Sequence, residues 1–212
     1  MAQKAQISFT YITVSSVSQE RGAVGFTVKS GWACAVLIGG TAAAPRVVDS
    51  RRVDLSDPKI PDATQPYHAG FGTARSAGDD LQRLIASVKS YGAKSVTALI
   101  GEYQQLAAIR TAGVVVGSTV DPASIANDHI RTHALEGQLF REVLIDGAER
   151  SGVKCTVFRE RDLYAEAEKH LKIAEGLMKV KLTALGKNVA GGWRAEHKEA
   201  ALAAWMSFAS RE

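Results

Sequence analysis

The stretch Ala23–Gly40, AVGFTVKSGWACAVLIGG, restricts the possible folds most. Two runs rich in Val, Ile, Phe and Trp flank Lys29-Ser30-Gly31. Branched and aromatic side chains suit the pleated surface of a strand, and Ser-Gly is a turn pair. The pattern therefore predicts a hairpin of two buried strands. A phosphate-binding loop is excluded. It needs Gly-x4-Gly-Lys-Ser/Thr leading into a helix, whereas here the lysine precedes Gly31 and strand-forming residues follow. After a turn from Gly39-Gly40 to Pro45, Arg46–Leu55 supplies a third antiparallel strand.

The rest of the chain reads as alternating helices and short strands. Residues 57–72 hold Pro58, Pro61 and Pro66 and form an irregular loop, whose Tyr67 and His68 have two readings: a turn packed on the surface, which is favoured, or a cover over the crevice. Leu81, Leu84, Ile85 and Val88 predict a helix over Thr73–Tyr91, with Gly92 as its C-cap. Lys94–Ala112 has two readings. The spacing of Val96, Leu99, Ile100, Tyr103, Leu106 and Ile109 favours helix, while Ser95–Gly101 also reads as strand. Val114–Val116 is a short buried strand, closed by Gly117-Ser118. Asp121-Pro122 opens a helix that runs to Arg150, since Pro is favoured in a first helical turn. Val153–Phe158 is a further strand, Arg161–Leu185 a charged helix and Arg194–Ser210 the last helix. Ile7–Val17 is β-prone, so residues 1–22 are expected to be an extension or extra strand ahead of a single domain over 23–212.

Composition sets outer limits. The chain has 212 residues, 46% hydrophobic, enough for a sizeable core. No apolar run approaches the ~18 residues of a membrane span, and the N-terminus lacks the apolar block of an export signal, so no membrane partner and a cytoplasmic location are expected. Cys34 and Cys155 stand alone in apolar runs, which excludes paired-cysteine zinc and redox motifs. A net charge of +4 permits an acidic partner without requiring one.

Strands joined through helices imply parallel pairing, because such crossovers need a dozen or more residues. Three antiparallel strands followed by parallel ones, with helices on both faces, make an α/β mixed sheet. This order resembles the ribonuclease H-like fold, and within it the Holliday-junction resolvase branch, over about Ala23–Phe208. In that family the first strand carries a catalytic Asp in a Gly-hydrophobic-Asp pattern. The matching run here is Gly25-Phe26-Thr27, with Lys29 two residues on. The family's acidic residue at a later strand end matches Gly117-Ser118, or Glu102 if Ser95–Gly101 is the strand. Its Asp-x-x-Asp at the start of the last helix matches Glu196-His197-Lys198-Glu199. The resemblance implies Mg²⁺ or Mn²⁺ as cofactor, and implies that Thr27 removes the ligand two ions would share.

Two helix faces carry the remaining candidates. His129, His133, Glu136, Phe140 and Val143 fall on one face at 100° per residue. Lys198 and Glu199 continue the inward stripe Leu202, Trp205, Met206 towards the start of the last helix. Polar residues at such positions point to the crevice beyond the strand ends, where open α/β sheets bind ligands. The candidate ligand-binding residues are Lys29, Ser118, His129, His133 and Lys198. His133, Glu136 and Glu199 are the catalytic candidates, and Glu136, Glu196 and Glu199 the metal-ligand candidates. The two histidines have three readings: metal ligands, an acid–base pair with Glu136, or solvated residues of an exposed helix start. Trp193 is expected to pin its loop to the core. Three functions follow. One is a ribonuclease H-like domain without competent two-metal chemistry that binds nucleic acid, a phosphate-bearing ligand or a protein in the crevice. The second is a divalent-metal nuclease or phosphodiesterase built on glutamates. The third is a component of a homo-oligomeric assembly.

Overall fold

The computed structural model describes residues 19–70 and 73–210. The strand expected over Ile7–Val17 lies outside them. Five strands form one sheet: β1 (Arg21–Lys29), β2 (Trp32–Gly40), β3 (Pro45–Asp54), β4 (Ala108–Val116) and β5 (Lys154–Arg159), in the order β3-β2-β1-β4-β5. β1 pairs antiparallel with β2, and β2 with β3. β1 pairs parallel with β4, and β4 with β5. The hairpin closes at Ser30-Gly31, with Lys29 opposite Trp32. Gly31 takes φ 79°, where a side chain is strained. Its carbonyl accepts from the Leu55 and Ser56 amides, which ties the end of β3 to the turn.

The helices are α1 (Asp79–Leu106), α2 (Asp128–Arg150), α3 (Leu163–Leu171), α4 (Glu175–Leu185) and α5 (Ala195–Ala209). Four expectations about them need correction. Gly92 does not end a helix, because α1 runs through it. A Cβ there would lie 2.4 Å from Val143 Cγ1 and 2.7 Å from the Leu55 carbonyl oxygen. The glycine exists to let α1 approach α2 and the end of β3, a tertiary demand that outweighs its helix penalty of ~1 kcal/mol. In the ambiguous Lys94–Ala112 the helical reading holds to Leu106, Ser95–Gly101 included, and the strand reading of that stretch fails; β4 starts only at Ala108, so Ile109 leaves the helical stripe for the sheet. Val114–Val116 is the buried end of that strand. Pro122 sits in a separate single turn, Pro122–Ser124, and α2 starts later, where Asn127 Oδ1 accepts from the Ile130 amide at 3.0 Å. Arg161–Leu185 is two helices, broken at Lys172, which adopts φ 57°.

Alternate strand residues feed two cores. Val24 and Phe26 of β1 join Val114 and Val116 of β4 beneath α1 and α2. On the other face, Val36 of β2 and Val115 of β4 pack against α3, α4 and α5. α5 is buried from Ala200 to Phe208. A Cβ on Gly25 would lie 1.7 Å from the Ala200 carbonyl oxygen, and one on Gly113 2.4 Å from that of Ala203. These bare strand positions seat the alanine-rich helix directly on the sheet, which brings its first turn over the end of β1. Trp193 donates from its indole N–H to the Leu182 carbonyl at 2.7 Å, pinning the loop before α5 as the sequence suggests. Among the described residues, no helix is long and apolar enough to cross a membrane.

Candidate functional site

The carboxyl ends of the parallel strands β1, β4 and β5 share one rim with the starts of α2 and α5. Side-chain alternation divides the candidate residues between the two faces of the sheet.

On the α5 face, Thr27 is 1% exposed. Its hydroxyl donates to the Glu196 backbone carbonyl at 2.9 Å. Two residues on, the Lys29 ammonium stands 3.5 Å from a Glu160 carboxylate oxygen. Glu160 follows β5 directly, in the single turn Glu160–Asp162. Burial pushes the Glu199 carboxyl above the usual range, Glu160 and Glu196 reinforce the rise, and Lys29 opposes it. Burial first, then Glu196 and Glu199, pushes the Cys34 thiol up to about 12, so it is a buried thiol and not a nucleophile. Thr27, Lys29, Glu160, Glu196 and Glu199 thus make one electrostatic neighbourhood around the first turn of α5. Lys198 is half-buried on the same turn.

Between the faces lies a crevice of about 590 Å³. Val28, Val116, Ile130 and Phe140 give it apolar walls, and Lys29, Ser30, Ser118, His133 and Glu160 are its polar lining. The structure therefore brings Lys29, Ser118 and His133 together, while Lys198 is not among the lining residues. The Arg141 guanidinium donates to the Ser118 carbonyl at 3.1 Å and fixes the segment leaving β4.

The α2 face carries the imidazoles. His129 and His133, one turn apart on α2, have ring centroids 4.6 Å apart. His68 from the proline-rich loop lies 4.7 Å from His133 and 6.3 Å from His129, again between centroids. Beneath them Glu136 is 1% exposed and 2.8 Å from His68 Nδ1. Burial raises the Glu136 carboxyl, against the His68 hydrogen bond. Burial, then the neighbouring His68 and His129, holds the His133 imidazole below its usual range. The loop that delivers His68 is strapped by Arg75, whose guanidinium donates to the Pro66 and His68 carbonyls, each at 2.9 Å. Among the described residues, three His, Cys, Asp or Glu ligand atoms come within 4.8 Å of one another at His68, His129 and His133.

Glu102 is not at a strand end. It lies on the exposed side of α1 and pairs with Arg51 at 2.6 Å, because Ser95–Gly101 is helical. Sequence reasoning singled out neither Glu160 as a site residue nor His68 as the partner of Glu136. The position of Glu160 just beyond a predicted parallel strand was the available signal. In the sequence His68 reads only as a loop residue, packed on the surface or covering a crevice, and nothing local pairs it with α2.

No protein-family model matches the sequence, and no curated protein matches it. Similarity is found among solved structures. Thermus thermophilus RuvC aligns with TM-score 0.53 and 12% identity over 90% of this chain and 95% of that chain. T. thermophilus RuvC in complex with Holliday junction substrate gives the same values. The yeast mitochondrial Holliday junction resolvase Ydc2 aligns with TM-score 0.49 and 9% identity over 93% of this chain and 82% of that chain. With its strand order, mixed pairing and helices on both faces, this chain has the ribonuclease H-like fold, in the arrangement found in RuvC.

Proposed function

We propose that this chain is a ribonuclease H-like domain that binds a phosphate-bearing ligand, a nucleic-acid strand in the first instance, in the crevice between β1, β4 and α2, and does so without two-metal nuclease chemistry. The observation that carries the second half is Thr27. Two-metal hydrolysis needs ions ~3.5–4 Å apart that share a carboxylate. The residue in the matching place is a buried threonine whose hydroxyl proton is committed to the Glu196 carbonyl. Lys29 adds an ammonium beside Glu160, within the field of Glu199. A cation that belongs to the chain takes part of the charge that a divalent ion would need. The donor set thus does not fit a Mg²⁺ or Mn²⁺ pair, and no hydrolytic step is assigned.

Binding rests on the crevice itself. Apolar walls suit a base or sugar face, and Lys29 with Ser118 and His133 offers polar contacts. A ligand phosphate would replace Glu160 as the partner of Lys29. The RuvC structure solved with a Holliday junction supports nucleic acid as the ligand class to test first.

The test is a salt-titrated anisotropy measurement with branched and single-stranded DNA, alongside a cleavage assay in Mg²⁺ and in Mn²⁺. Binding without cleavage is expected, and Lys29→Ala should lower the log–log salt slope by about 1. Cleavage that Glu199→Gln abolishes would replace this reading with a nuclease built on Glu196 and Glu199. Absence of salt-dependent binding would remove nucleic acid.

A further inference from the structure

We propose that His68, His129 and His133 form a three-histidine site for a borderline divalent transition metal, zinc above all, on the face of the sheet opposite Thr27. The inference does not rest on the crevice reading: of its three donors His133 alone also lines the crevice, while His68 and His129 line a separate cleft with it.

Three features of the cluster converge. The first is the donor set. Three imidazole nitrogens lie within 4.8 Å of one another. A tetrahedral site with Zn–N bonds of ~2.0–2.1 Å has nitrogen–nitrogen edges of about 3.4 Å, so a contraction of roughly 1.4 Å or less completes it. His129 and His133 are exposed and spaced one helical turn apart, so side-chain rotation alone supplies that movement. The second is the support. Glu136 is buried beneath the cluster and accepts from His68 Nδ1 at 2.8 Å. With its proton on Nδ1, His68 turns the Nε2 lone pair outward. A carboxylate behind a ligating histidine fixes tautomer and ring orientation and raises ligand basicity. His68 is itself buried, and the Arg75 strap on its backbone holds it in place. The third is access. The imidazoles line a cleft of about 560 Å³ with Asp62, Thr64 and Gln65, so a fourth position is open to water or a small anionic ligand.

Imidazole donors select zinc, cobalt or nickel over magnesium, which prefers oxygen. A chance cluster of surface histidines would not require a carboxylate buried beneath it. Removing a proton-bearing Glu–His pair to the interior is costly unless geometry recovers it.

The test uses the chelator-treated full chain and Zn²⁺ alone, followed by calorimetry, with Co²⁺ as a spectroscopic probe. We expect one equivalent of Zn²⁺, a rise in thermal midpoint, and visible Co²⁺ bands of tetrahedral nitrogen coordination. The double variant His129→Ala/His133→Ala changes only exposed residues and should lose all three signals. Glu136→Gln should keep the stoichiometry and weaken Zn²⁺ binding by about 10–100-fold. One equivalent retained by the double variant, octahedral Co²⁺ bands, or Zn²⁺ binding no tighter in the wild type than in the double variant would overturn the proposal.

Discussion

The two ends of the rim hold charge in opposite ways. Around the first turn of α5, groups of opposite sign already answer one another: Lys29 faces Glu160, Glu199 feels Lys29, and the Thr27 hydroxyl is spent on a backbone carbonyl. On α2, imidazoles face one another, and a buried carboxylate orients one of them from behind. The first region sets three carboxylates, Glu160, Glu196 and Glu199, around one ammonium, Lys29. The second gathers three imidazole rings along one cleft. The two ends therefore offer different donors: carboxylate oxygens at α5 and imidazole nitrogens at α2.

Thr27→Asp is the strongest way to break this contrast. It places a carboxylate at a 1% exposed position beside the Glu196 backbone carbonyl. A buried unpaired charge of this kind costs about 3 kcal/mol or more, and at 2–4 °C per kcal/mol the thermal midpoint should fall by roughly 6–12 °C. Mn²⁺ or Mg²⁺ should restore part of the loss in the variant and do nothing comparable in the wild type. A variant as stable as the wild type in the absence of ions would mean that the α5 region accepts a further carboxylate without an added cation.

A smaller effect is expected on the other face. Glu136→Ala leaves the buried His68 N–H without its acceptor, which costs about 1–3 kcal/mol. Urea midpoints measured on the metal-free chain would report it. No loss would show that Glu136 does not hold His68, and the imidazole cluster would lose its support.

Glu160→Gln sharpens the comparison within the crevice. It frees Lys29 from an exposed ion pair worth up to ~1 kcal/mol, so DNA binding at low salt should tighten by roughly two- to fivefold. Weakened binding would show that Glu160 contacts the ligand directly.

The smallest expected effect is pH-dependent. Burial, reinforced by Glu160 and Glu196, raises the folded-state pKa of Glu199 above its unfolded value. A group shifted this way contributes stability below its unfolded pKa and loses it as pH rises towards the folded pKa. Glu199→Gln lacks that loss, so it should unfold about 1–2 °C above the wild type near pH ~7, with solvent screening limiting the gain. The two should converge below pH ~4. Equal midpoints at both pH values would show that Lys29 fully compensates the carboxylate.

Much of this was legible in the chain. The β1–β2 hairpin, the turn at Ser30-Gly31, the order of antiparallel then parallel strands, and the placement of Thr27 and Lys29 at the end of β1 all follow from patterns within a few residues. So does the common face of His129, His133 and Glu136 on α2. Backbone sterics, side-chain periodicity and turn chemistry act at short range, so a sequence expresses them directly. Tertiary structure alone decided three things: that Gly92 is a contact point between α1 and α2 and not a helix end, that His68 meets Glu136 across 68 residues of chain, and that the imidazoles lie on the other face of the sheet from Thr27. Each depends on two segments meeting in space. That meeting is set by the packing of whole faces, which no local spacing records.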